Sequence, residues 1–428
     1  MKRILLAVFI AALYSHAFAQ TEREILTLQE CYEILYTENP VTDKIRASRH
    51  ISELNQRIAR SGWYPDVQLE ASASYQSDVV EFPFDAPNFN IPTFSKDHYN
   101  IALNVTQPIY DGGRTQAATE LEENSGDVTE ASLESDLLKI KEQVDRIYFG
   151  VLILQVQRKI NFTAIADLEE QLEVVESQVE NGVLLPGNEA SLRAEILKRE
   201  QEDTEIGYNI VAGLESLAEI LGNNEFITHK LELPEKKNWK NNNDVAGMRP
   251  ELVLLSARED LIESQKNLTA ASKLPTVSLF VRPSYGRPGF NFFENDLQFN
   301  WIVGVQARWS FKSARNASIK ADVLNLQQKN LSQDRTLFTR QQSAAIRQLE
   351  RNINSIEEQI QRDQEILKLL EQVAEEKRSL VDKGASNVTD YISALNAQMR
   401  AQLQLELRKI RRVQAIINYE TEQGWTWN

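Results

Sequence analysis

The sequence predicts a mainly helical fold with a small β part, in which two strands and a long helical hairpin occur twice along the chain. Residues 40–75 align without a gap with residues 250–285, and eight identical residues recur between Pro40/Pro250 and Tyr75/Tyr285. After each copy comes a second apolar-alternating segment, then about 70 residues with no proline and almost no glycine. A duplication on this scale indicates repeated supersecondary units rather than an enzyme pocket.

The repeat gives the expected organisation of the chain. We predict a signal peptide at residues 1–19, a first repeat at 20–222, a linker between the repeats at 223–247 and a second repeat at 248–428. Each repeat is expected to contain a helix, two strands and a long helical hairpin. The linker is rich in Asn and Lys, which favours an irregular belt over a separate domain.

The first 19 residues indicate export. Lys2 and Arg3 precede the apolar run Ile4–Tyr14, and Ala17-Phe18-Ala19 gives a cleavage site of small residues. This pattern is typical of a secretory signal peptide. A transmembrane anchor is excluded by length, because a spanning helix needs about 20 apolar residues.

Charge and cysteine content narrow the function further. The formal net charge is −15, which argues against binding of nucleic acid or of an anionic lipid surface by simple electrostatics. The single cysteine, Cys31, cannot form a disulfide within the chain. It lies in the apolar pattern of a helix, so we expect a buried contact, with a reactive thiol as the alternative.

Four segments alternate between apolar and polar residues, as strands with one apolar and one polar face do. The first two cover residues 66–76 and 99–106, and the second two cover 277–285 and 297–309. A soluble sandwich would produce the same pattern, but the rest of the chain is helical and supplies no second sheet. Several aromatic residues lie towards the strand ends, as in the girdles of an outer-membrane barrel: Tyr75, Tyr99, Tyr110, Tyr285, Trp301 and Trp309.

Four strands cannot close a barrel in a membrane. An open sheet edge in lipid leaves backbone groups unpaired at a cost of several kcal/mol each, so other copies of the chain must complete the sheet. Two copies would give 8 strands, too narrow for a lumen, and three would give 12 strands and a pore. Strand geometry therefore favours an oligomer without by itself selecting three copies.

The helical stretches predict two hairpins. Residues 315–383 contain no Gly or Pro, which corresponds to a helix of roughly 100 Å, and the matching stretch is residues 114–181. The hairpins are expected to turn at 182–188 and 384–390 and to return over about 188–221 and 389–419. A seven-residue apolar repeat from Ile353 to Val381 predicts left-handed coiled-coil packing. Asp363 and Lys377 interrupt this repeat. We expect them to lie on a hydrated or partner-facing side of the hairpin near its tip, with simple exposure to solvent as the alternative.

One motif connects these features to a known family. The segment from Gln107 to Arg114, with Pro108, Gly112 and Gly113, resembles the strand-to-helix corner of TolC-type outer-membrane efflux proteins. Residues 26–31, together with Asn39 and Pro40, resemble the opening helix of that family, and residues 214–222 resemble the end of its first half. The second corner, residues 309–315, is degenerate and keeps only Arg315.

The resemblance implies a function as an outer-membrane exit duct. It implies a homotrimer with a 12-stranded barrel in outer-membrane lipid and a helical tunnel that extends into the periplasm. Such a duct conducts cargo passively, in tripartite efflux or type I secretion, from a periplasmic adaptor (membrane fusion protein) and an inner-membrane efflux pump or ABC transporter. The alternative is a periplasmic coiled-coil adaptor or structural protein without a pore.

The resemblance also implies site residues. Asp390 is expected to form an entrance ring, where family members narrow the tunnel with acidic residues. The alternative is that Asp390 belongs to the N-terminal cap of the returning helix, with Thr389 or Asn387 as the capping residue. The expected adaptor-facing tips are Gly182, Val183 and Asn188 in the first hairpin and Gly384 and Ser386 in the second. Ser386 and Ser393 stand where some members have a gating arginine and a second aspartate, so an arginine–aspartate gate is not expected. No catalytic residue, metal site or cofactor is predicted, because the His residues are scattered and no nucleophile motif or phosphate loop occurs.

Overall fold

The computed structural model describes residues 25–80, 94–235, 249–291 and 294–424. The predicted signal peptide lies outside the described residues. So do residues 236–248, which include about half of the predicted linker, and residues 81–93 between the first two strands.

The described residues form a mainly helical chain with a small β part, which confirms the predicted fold class. The strands β2–β3 and β5–β6 form one antiparallel sheet in that order, whereas the two-residue strands β1 and β4 pair in parallel. The elements in chain order are β1 (Ile25–Leu26), α1 (Leu28–Glu38), α2 (Pro40–Arg60), β2 (Asp66–Tyr75), β3 (Asp97–Tyr110), α3 (Arg114–Glu180), α4 (Pro186–Leu221), β4 (Lys230–Leu231), α5 (Pro250–Ala271), β5 (Thr276–Arg287), β6 (Gln298–Arg308), α6 (Phe311–Asp382) and α7 (Val388–Glu422).

The contacts divide the chain into two compact units. The hairpin unit comprises Met1–Lys44, Glu134–Pro250 and Phe338–Asn428, and the sheet unit comprises Ile45–Leu133 and Glu251–Leu337. Each unit takes segments from both halves of the chain. The boundaries of the two sequence repeats stay a prediction.

The pairing register of the sheet unit places most of the apolar strand residues on one face. Val67 pairs with Val105, Val105 with Val281 and Val281 with Val303, so four valines form a continuous row across all four strands. Because side chains alternate along a strand, the residues next to each valine point to the opposite face. A bulge between Pro108 and Tyr110 interrupts the register near the end of β3.

The long helices begin and end close to the predicted positions. The predicted start of the second long helix at Arg315 is wrong by four residues, since α6 begins at Phe311. The Ser310 hydroxyl accepts a hydrogen bond from the Ser313 backbone N–H at 3.3 Å, and this cap supports an earlier start. Similarly, Pro186 opens α4 two residues before the expected start, in a position where its missing N–H costs no hydrogen bond.

The core of the hairpin unit packs α1 against the middle of α3, the end of α4 and the end of α7. Cys31 is fully buried in this core, in agreement with the expected helix contact. Burial, with a smaller contribution from nearby Glu30, raises the pKa of its thiol to about 12. The thiol is therefore protonated and sequestered at neutral pH, which excludes the alternative of a reactive cysteine.

An ionic network lies inside this core. The side chain of Lys141 is 0% exposed, and its ammonium group donates to Asp145 Oδ2 and Thr421 Oγ1, both at 3.0 Å. The Tyr32 hydroxyl donates to Asp145, and the Lys141 ammonium lies 4.6 Å from the centre of the Tyr32 ring. The network joins α1, α3 and α7, and every charge in it has an opposite charge or a dipole beside it.

Neither expectation for Asp363 matches the structure. Its carboxylate is largely buried and accepts a hydrogen bond from Arg408, which returns along α7. Asp363 therefore interrupts the apolar repeat because it forms an ion pair inside the second hairpin. The long side chain of Arg408 reaches it from the neighbouring helix.

Candidate functional site: strand faces, corner and hairpin tips

One face of the sheet is apolar and exposed. The row of valines is followed by a second row in which Ala71, Ile101, Tyr285 and Phe299 pair across the four strands. Residues on this face that are at least 37% exposed include Val67, Leu69, Ile101, Leu103, Tyr285, Phe299, Trp301, Val303 and Val305. Soluble proteins rarely leave such a large contiguous apolar surface uncovered, so this face is suited to contact lipid.

The opposite face is mainly polar, although Phe280 and Ile302 also lie on it. In successive rows, Ser72 pairs with Asn100, and Asn100 with Gly286. In the next row, Glu70 pairs with Ala102, and Ala102 pairs with Ser284. The polar face is suited to water, as the lumen of a barrel is.

The first strand-to-helix corner is built around Asp111. Its carboxylate accepts hydrogen bonds from the backbone N–H groups of Gly113 at 2.9 Å and Thr115 at 2.7 Å, which caps the start of α3. Burial raises the pKa of Asp111, but the hydrogen bonds from Thr115 and Gly113 outweigh it and hold the pKa below its ordinary value. The charged carboxylate is thus the form that stabilises the corner.

Gly112 and Gly113 are required by the shape of this corner. Both have positive φ, +70° and +80°. A Cβ atom on Gly112 would lie 2.7 Å from Leu274 Cβ, so any larger residue would force the corner away from the chain leading into β5. Pro108 lies beside the bulge in β3, and the Arg114 side chain is exposed at the first position of α3.

Each hairpin turns at a glycine in the left-handed region. Gly182 has φ +74° and Gly384 has φ +65°. Backbone hydrogen bonds from Val183 to Gln178 and from Ala385 to Leu380, both 2.8 Å, close the helix ends in the same way. This hydrogen-bond pattern is typical of a helix that ends at a glycine with a positive φ.

The structure brings the two tips into contact. A Cβ atom on Gly384 would lie 2.8 Å from Val183 Cγ1, which shows how closely Val183 of the first hairpin packs on the turn of the second. The Asn188 side-chain oxygen accepts a hydrogen bond from the Val388 backbone N–H at 3.3 Å. Asn188 therefore caps the returning helix of the other hairpin. Four of the five predicted tip residues, Gly182, Val183, Asn188 and Gly384, meet at this contact or adjoin it.

The remaining tip residue and the predicted entrance residue lie at the start of α7. Ser386 is half-buried in the turn, and Asp390 is exposed in the first helical turn. The capping oxygen belongs to Asn387, which accepts from the Thr389 backbone N–H at 3.1 Å. Asp390 is therefore not the capping residue of α7. Its negative charge can still interact favourably with the helix dipole or attract cations.

Replacing Asp390 with alanine is expected to weaken cation selectivity and to abolish block by a trivalent cation added from the periplasmic side. The physical reason is that a threefold axis would crowd three exposed carboxylates into a wet ring that attracts cations. Planar-bilayer recordings would measure both effects, with Glu189→Ala, the acidic residue in the first turn of α4, as control. Lower trimer stability with unchanged selectivity and block would instead assign Asp390 to the helix terminus.

Sequence reasoning missed two features of the hairpin unit. Nothing local to Asn188 indicates that it caps α7, because its partner lies 200 residues away. The ionic network could have been suspected, since Lys141 and Asp145 stand four residues apart within the apolar surroundings of Leu137, Leu138 and Val144. Their pairing with Tyr32 and Thr421 depends on which helices meet.

Two negative findings hold for the described parts of the chain. No helix there has the length and hydropathy needed to cross a membrane. No group of three or more His, Cys, Asp or Glu residues there could hold a metal ion.

Comparisons with known proteins agree with this geometry. Residues 37–223 match the model of the family described as outer membrane efflux protein. No curated protein matches the chain in sequence.

Solved structures of outer-membrane proteins share the fold. The outer membrane protein VceC from Vibrio cholerae superposes with a TM-score of 0.73 at 16% identity, over 94% of this chain and 97% of that chain. The outer-membrane channel OprN gives 0.74 at 13% identity, over 94% and 90%. The Campylobacter jejuni CmeC outer membrane channel gives 0.69 at 16% identity, over 93% and 85%. At such low identity these likenesses establish the fold alone. The sequence match to the outer membrane efflux protein family thus covers residues 37–223, and the fold of these outer-membrane proteins extends over nearly the whole chain.

Proposed function

We propose that three copies of this chain form a passive exit duct in the outer membrane, as part of a tripartite efflux or type I secretion system. A periplasmic adaptor and an inner-membrane efflux pump or ABC transporter would deliver the cargo. The observation that carries the proposal is the four-stranded sheet, which has an exposed apolar face, a polar face and two open edges.

The open edges call for further copies of the chain. In the order β2-β3-β5-β6, the strands β2 and β6 each have one side without a partner in the described sheet. In lipid, every backbone group along such an edge would lose a hydrogen bond at a cost of several kcal/mol. Pairing β6 of one copy with β2 of the next removes both edges, and three copies give a 12-stranded barrel with a lumen.

The helices that adjoin the sheet follow the same order as the strands. Arg49 of α2 pairs with Glu130 of α3, with Nε 2.9 Å from Oε2. The Asn124 amide of α3 lies 3.5 Å from the Asp260 carbonyl oxygen of α5. Arg335 of α6 lies 3.0 Å from Glu259 of α5. The row therefore runs α2-α3-α5-α6, with α2 and α6 at its two ends.

The two end helices carry apolar stripes. Both have the three- and four-residue spacing of a coiled-coil seam and are exposed: Ile51, Leu54 and Ile58 on α2, and Ile319, Val323 and Leu326 on α6. At 3.6 residues per turn, each stripe lies about 150° around its helix from the side that contacts α3 or α5. The stripes thus face away from α3 and α5 of their own chain.

Chain connectivity relates the stripes to the sheet edges. The helix α2 leads into edge strand β2, and α6 follows edge strand β6. If β6 of one copy pairs with β2 of the next, the stripe of α6 comes beside the stripe of the neighbouring α2. One arrangement of copies then covers both the backbone edges and the apolar stripes, which supports a closed ring of copies.

The rival function is that of a soluble periplasmic coiled-coil adaptor. It would account for the helical hairpins. It would leave the apolar face of the sheet in water, where contiguous apolar patches of this kind are costly. Fractionation separates the two, because an adaptor would be recovered with soluble or inner-membrane material.

The purified full-length protein in planar bilayers is expected to give discrete conductance steps and to migrate as a trimer. Assembly through the stripes is tested in a Cys31→Ala background that carries Ile51→Cys and Ile319→Cys together. A bismaleimide is then expected to convert most of the protein into a covalent trimer. The matched control is Glu53→Cys with Ser318→Cys, on the same helices but away from the stripes.

The outcomes separate the parts of this proposal. A monomer without channel activity would overturn the duct. A conducting trimer in which only the control pair crosslinks would leave the duct intact but exclude the stripes as the contact between copies. A crosslink within one chain would contradict the strand order on which the ring depends.

A further inference from the structure

The interior of the sheet strands carries two charged residues. Glu70 is the fifth of ten residues of β2, and Arg282 is the seventh of twelve residues of β5. The other Asp, Glu, Lys and Arg residues of β2, β3, β5 and β6 stand at strand ends: Asp66, Asp97, Arg287 and Arg308. An acidic and a basic residue are therefore the fixed charges at mid-height of the sheet.

These two residues meet on the polar face, across the strand that separates them. An Arg282 guanidinium nitrogen lies 3.5 Å from Glu70 Oε2, and the Asn104 amide donates to the same oxygen at 3.1 Å. Ala102 of β3, which pairs with both Glu70 and Ser284, is only 1% exposed. The two long side chains reach over this small residue, and each side chain remains about half exposed to solvent.

We propose that Glu70 and Arg282 compensate each other's charge in the wall of the lumen and that each is a residue that determines the ion selectivity of the barrel. This proposal rests on the proposed function as a duct. With three copies, the lumen carries three carboxylates and three guanidinium groups at one level. Their charges nearly cancel at a distance, because each pair is close enough to act as a dipole rather than as two separate charges.

Neutralising one member removes this cancellation. Without the carboxylate, three guanidinium groups face the lumen and attract anions; without the guanidinium groups, three carboxylates attract cations. A channel with low-dielectric walls focuses such fields, so a change of three charges at one level has a large effect on permeant ions. The polar face otherwise presents neutral side chains along the strand interiors and offers little competing charge.

The test measures reversal potentials of the full-length protein in planar bilayers under a potassium chloride gradient. Glu70→Gln is expected to lower the ratio of potassium to chloride permeability by about threefold or more, and Arg282→Gln to raise it by a similar factor. The double variant is expected to return close to the wild type. Ser72→Asn, on the same face and without a charge, serves as control.

A purely structural ion pair would give a different pattern. It would lower the temperature at which the trimer dissociates in detergent in both single variants and leave the permeability ratio unchanged, which would overturn the proposal. The exchange Glu70→Arg with Arg282→Glu restores an ion pair and is expected to keep the wild-type ratio. If the wild-type protein forms no channel, the proposed function itself fails, whereas a channel with unchanged selectivity in both single variants rejects only the role of this pair.

Discussion

Replacing Asp145 with asparagine is expected to lower the free energy of unfolding by about 3–5 kcal/mol. The substitution keeps the shape of the side chain and an oxygen for the Tyr32 hydroxyl, but it leaves the ammonium group of Lys141 without its counter-charge. That group is fully buried, so water cannot replace the lost partner. Urea unfolding in detergent, followed by circular dichroism, would measure the loss.

Two controls isolate the buried charge as the cause. Asp136→Asn removes a carboxylate that pairs with Lys139 on the same helix, three residues away, in a pair whose side chains are both more than half exposed, and is expected to cost less than about 1 kcal/mol. Adding Lys141→Met to Asp145→Asn removes the stranded charge and is expected to recover much of the stability. Equal losses for Asp145→Asn and Asp136→Asn would show that the network contributes no more than a surface ion pair.

Placing an arginine at mid-strand on the apolar face is expected to destabilise the barrel by about 2–4 kcal/mol. Val281 is suited to this test, because it pairs with Val105 on one side and Val303 on the other and so lies inside the sheet. Leu103, Val105 and Val303 are expected to respond in the same way, since all lie on that face. The physical cost is the transfer of a guanidinium group from water into hydrocarbon.

The matched control lies on the same strand. Ser284→Arg places the same side chain on the polar face, where water solvates it, and is expected to be nearly silent. Asn104 is on the polar face too, but a substitution there would also remove its hydrogen bond to Glu70, so it is a less suitable control. Equal losses of folding stability in lipid vesicles for Val281→Arg and Ser284→Arg would contradict the assignment of the two faces.

Local pattern was sufficient to predict most elements, because their causes are local. Strict alternation over residues 66–75 reports directly which side chains share a face, and the absence of Gly and Pro over residues 315–382 permits a single long helix. The glycines at 182 and 384 mark the hairpin turns, since few other residues adopt a positive φ there. The start of α6 was missed because its cap is formed by Ser310, whose neighbours lack the motif seen at the first corner.

The candidate site was only partly accessible from sequence. The corner could be predicted because Asp111, Gly112 and Gly113 act on their own neighbours in the chain. The contact between Asn188 and Val388 and the pairing of Glu70 with Arg282 could not, because each joins residues more than 190 positions apart. Such pairs depend on strand order and helix packing, which periodicity does not specify.

The two unpaired edges of the sheet have a consequence for how the protein reaches its membrane. A single copy in the periplasm would present two rows of unsatisfied backbone groups beside an exposed apolar surface, the combination that templates aggregation. Strand formation, insertion into lipid and association of copies therefore have to proceed together, since each step removes a surface that the others leave exposed. Biogenesis then depends on the concentration of newly exported chains, and a defect in assembly would be observed as proteolysis of monomers rather than as a population of closed or inactive channels.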